Sequence, residues 1–311
     1  MEEKELKEIL NKIENEMTGD PEHDAETLNE WGERYREQPG SEPLLKEIGR
    51  RIFDLMVEED PDIPQQIFNN MVETADEDYE EAIRLIDQHQ YDEALGKLLV
   101  LSEVIHNYPL SEDTIWMDFD RRLDAMIFQD YYQESIGERE IARHPMHPAH
   151  MLFTTGSLLI EMNRPEEAVE ILQRLIEYDP VCPRFLFEMG EAYKRTEQLK
   201  EAVQTALWAL SCASKPEELA RAYRDIAYCL SETGEYEDAV MLYMLSLRYQ
   251  ASRHAEAEIA WIQKKSGVSA LGYNSETIRK RCAELNIPIG IDDTVKRNIE
   301  LLKLLDQEQD H

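Results

Sequence analysis

Three histidines stand at steps of three in RHPMHPAH: His144, His147 and His150. Neutral imidazole is a common ligand for zinc and nickel, so a metal centre is the first chemistry to weigh. Pro145 and Pro148 forbid a regular helix through the first two, so the spacing defines no shared face. Pro148 reads instead as the first-turn proline of a following helix, and no metal site is expected. Asp118 and Asp120 in IWMDFDRRLDAMIF suggest paired carboxylates. Read as one helix, Asp120 and Asp124 share a face. Trp116, Phe119, Leu123, Met126 and Ile127 form an apolar stripe between them, so the acids are expected to be its solvated flank. Cys182, Cys212, Cys229 and Cys282 have no CxxC spacing and lie in apolar or helical surroundings, the pattern of buried free thiols. Arg279, Lys280 and Arg281 in TIRKRCAEL have the basicity of a DNA-recognition helix but read as the exposed face of a capping helix. The sequence holds no Gly-rich phosphate loop, no HExxH and no GxSxG. No catalytic residue, cofactor or metal is assigned, and the chain is read as not an enzyme.

Composition narrows the partners. The 311 residues carry 33 Lys+Arg and 66 Asp+Glu, a formal charge of −33. Nucleic acid and anionic membrane would both be repelled as main partners. Hydrophobic residues make up 42% of the chain, enough for a core, while 12 Gly and 13 Pro are too few for an all-β sandwich. The N-terminus, MEEKELKEILNKIENEM, lacks the basic flank and apolar stretch of a signal peptide, and no window reaches the length of a spanning helix. A reducing cytoplasm is the expected compartment.

The elements that must position any site come from a repeat. YDEAL, PEEAV, LKEAV and YEDAV place alanines at Ala94, Ala168, Ala202 and Ala239, with gaps of 74, 34 and 37 residues. A step of 34 is the length of a helix–turn–helix repeat, and the first gap is wide enough for one degenerate unit. Between Ala149 and Pro180, an apolar-striped segment, an NRP break and a second stripe make one hairpin, stopped by Pro180. Gly156 and Gly190 lie mid-helix, where glycine costs about 1 kcal/mol and is expected only where another helix approaches closely. The alanines are expected at the contact between the two helices of each hairpin. Leu6, Ile9, Leu10, Ile13 and Met17 predict a first helix. Leu28, Trp31 and Tyr35 mark a second after Asp20-Pro21, and Leu45, Ile48, Ile52 and Leu55 a third after Ser41. A shorter segment is expected to end near Ala75. Residues 1–80 hold 25 acids and 8 bases, about half of the net negative charge. The expected organisation is an acidic helical module over 1–75, a repeat array over 76–250 that is clearest at 149–250, and capping helices over 251–311. Those caps comprise a helix at 255–265, one with Ser275 as cap ending at Pro288, and a last one from Asp292 carrying Val295, Ile299, Leu302 and Leu305.

The small residue at position eight, the large residue at eleven, Ala at twenty and Pro near thirty-two resemble the tetratricopeptide repeat (TPR) family. The resemblance implies an all-α, right-handed α-solenoid. It also implies a ligand-facing concave surface built from positions two, five, six and nine of each first helix. Carried over, these positions are His150, Phe153, Thr154 and Ser157; Arg184, Phe187, Glu188 and Glu191; and Arg221, Arg224, Asp225 and Tyr228. The family's carboxylate clamp needs Lys and Asn where Phe153, Ser157 and Glu188 stand, so a chaperone-tail adaptor is not implied. The expected function is a non-catalytic scaffold that binds a protein segment in the groove. Two alternatives stay open: an acidic escort that holds a basic client through the N-terminal module, and a groove filled by the chain's own terminal helix.

Overall fold

The computed structural model describes residues 3–36, 38–290, 296–298 and 300. The chain divides into two compact units, 1–74 and 75–311. The first unit contains α1 (Glu3–Glu16), α2 (Pro21–Tyr35), α3 (Glu42–Glu59) and the start of α4 (Ile63–Asp87). Its core is Ile9, Ile13, Leu28, Trp31, Leu44 and Ile48, the inward stripes of three amphipathic helices. Asp20 opens α2 by accepting the His23 N–H at 3.0 Å, with Pro21 in the first turn. The fourth helix does not end near Ala75. No Pro or Gly interrupts residues 65–87, and α4 continues to Asp87.

In the second unit α5 spans Tyr91–His106. Then follow β1 (Thr114–Met117), α6 (Arg122–Ile136), β2 (Glu140–Arg143), α7 (Pro148–Glu161), α8 (Pro165–Tyr178), α9 (Pro183–Arg195) and α10 (Leu199–Cys212). α11 (Pro216–Thr233), α12 (Tyr236–Ser246), α13 (Arg253–Ser266) and α14 (Ser275–Glu284) complete the described elements, with a 3-10 turn at Ala270–Gly272. Helices α7 and α8, α9 and α10, and α11 and α12 pack as antiparallel pairs, and α8 on α9 and α10 on α11 join the pairs into a stack. Ala94, Ala168, Ala202 and Ala239 are all buried, as expected of small residues at helix contacts. Of the two glycines only Gly156 marks a close approach. A Cβ there would lie 2.5 Å from Leu172, whereas Gly190 has nothing within 4 Å.

Each hairpin turns in the same way. His89, Asn163, Glu197 and Gly234 have φ of 60°, 59°, 59° and 92°, five residues before the four alanines. At each turn the next N–H reaches back five residues: Gln90 to Leu85, Arg164 to Leu159, Gln198 to Tyr193 and Glu235 to Leu230, all at 2.8–2.9 Å. These are Schellman closures, in which a left-handed residue satisfies the last helical carbonyls.

The gap between Ala94 and Ala168 does not hold a degenerate repeat. α5 packs directly on α7, and β1–α6–β2 is inserted between them. The two strands pair in parallel with Ile115 opposite Ile141 and Met117 opposite Arg143. Helix α6 lays Leu123, Ile127 and Phe128 against Met117, Val181 and Cys212. TIWM is therefore a strand rather than the start of an apolar-striped helix. The first closing helix is capped by Asn274 rather than Ser275 and ends at Glu284. Val295, Ile299, Leu302 and Leu305 of the last expected helix lie outside the described residues. All four cysteines are buried and free.

Candidate protein-binding face

The first helices of successive pairs, α7, α9 and α11, contact one another in series and bring the residues chosen by repeat position onto one face. A cation lies over a ring at every step. The Arg184 guanidinium sits 4.4 Å from the Phe153 centroid and Arg221 sits 4.6 Å from Phe187. Lys194 Nζ lies 5.4 Å from Tyr228. Each such contact is worth about 0.5–1 kcal/mol when exposed. Arg184 and Arg221 remain 45% and 44% exposed while their planes rest on aromatics.

The other residues fill in around this ladder. His150 is exposed, and Tyr79 of α4 hydrogen-bonds the Thr154 hydroxyl at 2.9 Å. Glu188 is half-buried and Ser157 Oγ is buried without a partner. Glu191 binds Lys194 and Arg195 at 2.8 and 3.0 Å. Burial pushes the Glu191 carboxyl up, but the two cations outweigh it and the group is lowered. Asp225 takes Lys194 at 2.9 Å and stands 3.9 Å from Arg221. Arg224 donates to Gln250 at 3.3 Å and keeps Nη1 buried without an acceptor. Burial lowers its guanidinium below the ordinary value and raises the Tyr228 hydroxyl.

Two segments of the chain approach this face differently. Asp120, from the loop before α6, accepts Arg184 Nη2 at 2.7 Å, so an acid of the insert already holds one groove arginine. Residues 288–290 dock elsewhere: the Tyr223 hydroxyl donates to the Pro288 carbonyl at 2.8 Å and accepts the Gly290 N–H at 2.6 Å. At 100° per residue, Tyr223 lies about 150° around α11 from the mean direction of residues 221, 224, 225 and 228. That part of the C-terminal segment does not fill the groove.

A tetratricopeptide repeat family model matches residues 153–218, the first helix of one hairpin through to the opening of α11. Residues 153–218 are thus similar to tetratricopeptide repeats, and the neighbouring hairpins stack on them in series. Among solved structures, the first TPR of Spaghetti (RPAP3), bound to an HSP90 peptide, aligns at 18% identity and a TM-score of 0.36. That alignment covers 39% of this chain and 94% of the other. MamA from residue 41 onward, from Desulfovibrio magneticus RS-1, aligns at 14% identity and a TM-score of 0.40, covering 76% and 99%. No curated protein matches the chain. No described helix is long and apolar enough to cross a membrane.

The acids expected on the solvated flank of a helix are instead the polar joints between the stack of hairpins and its insert. Asp118 is buried; it accepts the Ala149 N–H at 2.9 Å and Arg143 Nε at 3.2 Å, with His147 Nδ1 3.5 Å away. It thereby caps α7 from 31 residues upstream, where a carboxylate also suits the helix dipole. Asp124, fully buried, takes two atoms of the Arg121 fork, and Arg121 also reaches Glu218 at 2.8 Å. Asp179 accepts the Asp120 N–H at 2.9 Å, and burial together with the Asp124 charge pushes its carboxyl far above the usual range.

Asp120, Asp124 and Cys182 bring ligand atoms within 4.8 Å of one another, but the set does not suit a metal. Asp124 is taken by Arg121, Asp120 by Arg184, and burial raises the Cys182 thiol so far that no thiolate is available. The three histidines do not converge either. His144 is buried between Tyr108 and Tyr178 and accepts the Met146 N–H at 3.1 Å, while His147 and His150 are exposed. Arg281 of the basic cluster is tied to Asp238 of α12 at 2.7 Å, with Arg279 and Lys280 exposed.

Proposed function

We propose that this chain is a non-catalytic scaffold that holds a segment of a partner protein along the face of α7, α9 and α11. The observation that carries the proposal is the ladder of cations over rings: Arg184 on Phe153, Arg221 on Phe187 and Lys194 on Tyr228. Phe187 is itself buried, 4% exposed, so the part-exposed Phe153 and Tyr228 offer the flat apolar anchors at low entropic cost. The exposed edges of Arg184 and Arg221 offer donors to carboxylates or backbone carbonyls, with Arg184 Nη2 already on Asp120. Arginine and aromatic residues are the types that dominate interface energetics. Replacing both Arg221 and Arg224 by Ala in the full chain is expected to weaken capture of native partners about five- to hundredfold. That range corresponds to about 1–3 kcal/mol for central anchors. Partner recovery equal to wild type, measured by quantitative pull-down with circular dichroism unchanged, removes the assignment.

The second reading is an acidic escort that holds a basic client through the N-terminal unit. It is favoured by the 25 acids and 8 bases of residues 1–80. Such a complex is expected to dissociate as salt shortens the screening length from about 8 Å at physiological ionic strength to about 3 Å at 1 M. Retention at 1 M salt counts against it.

A further inference from the structure

The insert leaves one edge of its sheet unpaired. His144 N–H donates to the Met117 carbonyl at 2.8 Å, so the peptide groups at residues 142 and 144 face β1. By the alternation of a parallel ladder, the N–H and C=O groups of Ile141 and Arg143 point the other way. Among the described residues neither backbone has a hydrogen-bond partner on that side. An open strand edge is a template for another strand.

Beside this edge runs a groove. Two cavities of about 470 and 500 Å³ adjoin along α6, and both touch Gln129 and Ile141. Their apolar surface comes from Phe119 of the loop before α6 and from Ala125, Met126 and Ile136 of α6 itself. Helix α6 from Arg122 to Ile136 is about 21 Å long, and a six-residue strand is about 20 Å long. The groove is thus long enough for one extended segment lying between α6 and β2. Its ionised lining is Arg121, Arg122, Arg143 and Arg297 against Asp120 and Asp130; Arg121 is taken up by Asp124 and Glu218, whereas Arg122 is exposed and Arg143, bonded to Asp118 through Nε, is 67% exposed. Arg297 stacks on Tyr131 and pairs with Asp130, and its Nε and Nη2 are buried with no acceptor among the described residues.

We propose that the outer edge of β2 takes an extended, acidic segment of a partner protein as a third strand of the sheet. The edge amides and carbonyls of Ile141 and Arg143 supply the main-chain bonds, the flank of α6 receives apolar side chains, and the exposed guanidinium edges of Arg122 and Arg143 receive carboxylates. This site adjoins the face on α7, α9 and α11 through Asp120, which holds Arg184, but it does not depend on the function proposed for that face.

The test uses the full chain and a fluorescein-labelled octapeptide alternating glutamate and valine. Binding is followed by polarisation, and amide protection by hydrogen exchange. The expected result is saturable sub-millimolar binding with slowed exchange at Ile141 and Arg143. Binding is expected to be at least fivefold weaker for the lysine–valine peptide, for the peptide N-methylated on the edge-facing amides, and for Arg122→Glu. Absence of binding, equal binding of the lysine–valine or N-methylated peptide, or protection confined to α7, α9 and α11 overturns the proposal. Protection at 141 and 143 that grows with protein concentration in the absence of peptide also overturns it, because the edge would then belong to a second copy of the chain.

Discussion

His144 shows how a single side chain can be placed by partners the local sequence does not announce. It is fully buried, with Tyr108 and Tyr178 rings at 5.4 and 5.2 Å, and its Nε2 has no partner. Burial lowers it to about 4, partly offset by Asp118 and reinforced by His147. The unfolded chain binds a proton near the ordinary value of about 6.5 while the folded chain does not. Stability from this group is therefore present above about pH 6.5 and lost as pH falls toward 4, on the order of 2–3 kcal/mol in all. Asp179 slopes oppositely, since its raised carboxyl favours the fold at low pH and loses that advantage as pH rises. Urea denaturation of His144→Phe and wild type at pH 7 and pH 5 separates the two. The variant is expected to lose about 1 kcal/mol at pH 7, where the Met146 bond goes, and to lose less than wild type on acidification. A parallel pH dependence in both proteins contradicts this. The sequence places the three histidines off a common face, and the structure agrees. It could not foretell that Asp118 and Asp124 are buried, because Asp118 accepts the Ala149 N–H 31 residues on and the Arg121 that holds Asp124 is itself held by Glu218, 97 residues from it.

At the scale of the element, the array repeats its contacts but not every residue that makes them. Gly156 and Gly190 occupy corresponding places, yet only the first faces a neighbour, Leu172, which is itself fully buried. Gly156→Ala is expected to cost about 1–3 kcal/mol, the range for overpacking. Gly190→Ala is expected to stabilise by up to about 1 kcal/mol, the propensity difference alone. Thermal unfolding of the two variants should shift in opposite directions, and equal shifts would refute the distinction. The hairpin turns offer a second case. Glu197 is held at φ 59°, where a residue with a Cβ is strained by about 1–2 kcal/mol. Glu197→Gly is expected to raise stability by up to about 1 kcal/mol, as measured by the denaturant midpoint. Asn163 and Gly234 are turn residues that composition suggests, whereas His89 and Glu197 adopt the same turn against their propensity, because the packed helices on both sides require it.

At the scale of the molecule, the two compact units have separate cores. Leu28→Ala is expected to destabilise the first unit by about 2–5 kcal/mol. Exchange rates in α9 to α12, whose core is built around Tyr223 and Tyr243, should stay unchanged. A matching loss of protection there would show that the units unfold together. The charge also belongs to this scale. With −33 distributed over the chain, the arginines along α9, α11 and α6 are local exceptions, and the two proposed docking surfaces lie at those exceptions.

The succession of helices, the step of the hairpins and the burial of four alanines were determined by the amino-acid order alone. Helical periodicity and small contact residues are local properties that repeat, and each hairpin restates the same short-range physics. The parallel strands, the buried aspartates and the unpaired edge of β2 were decided only by the tertiary structure. A four-residue strand has no stability of its own, and TIWM becomes one only because EIAR, about 25 residues later, lies beside it and α6 covers both.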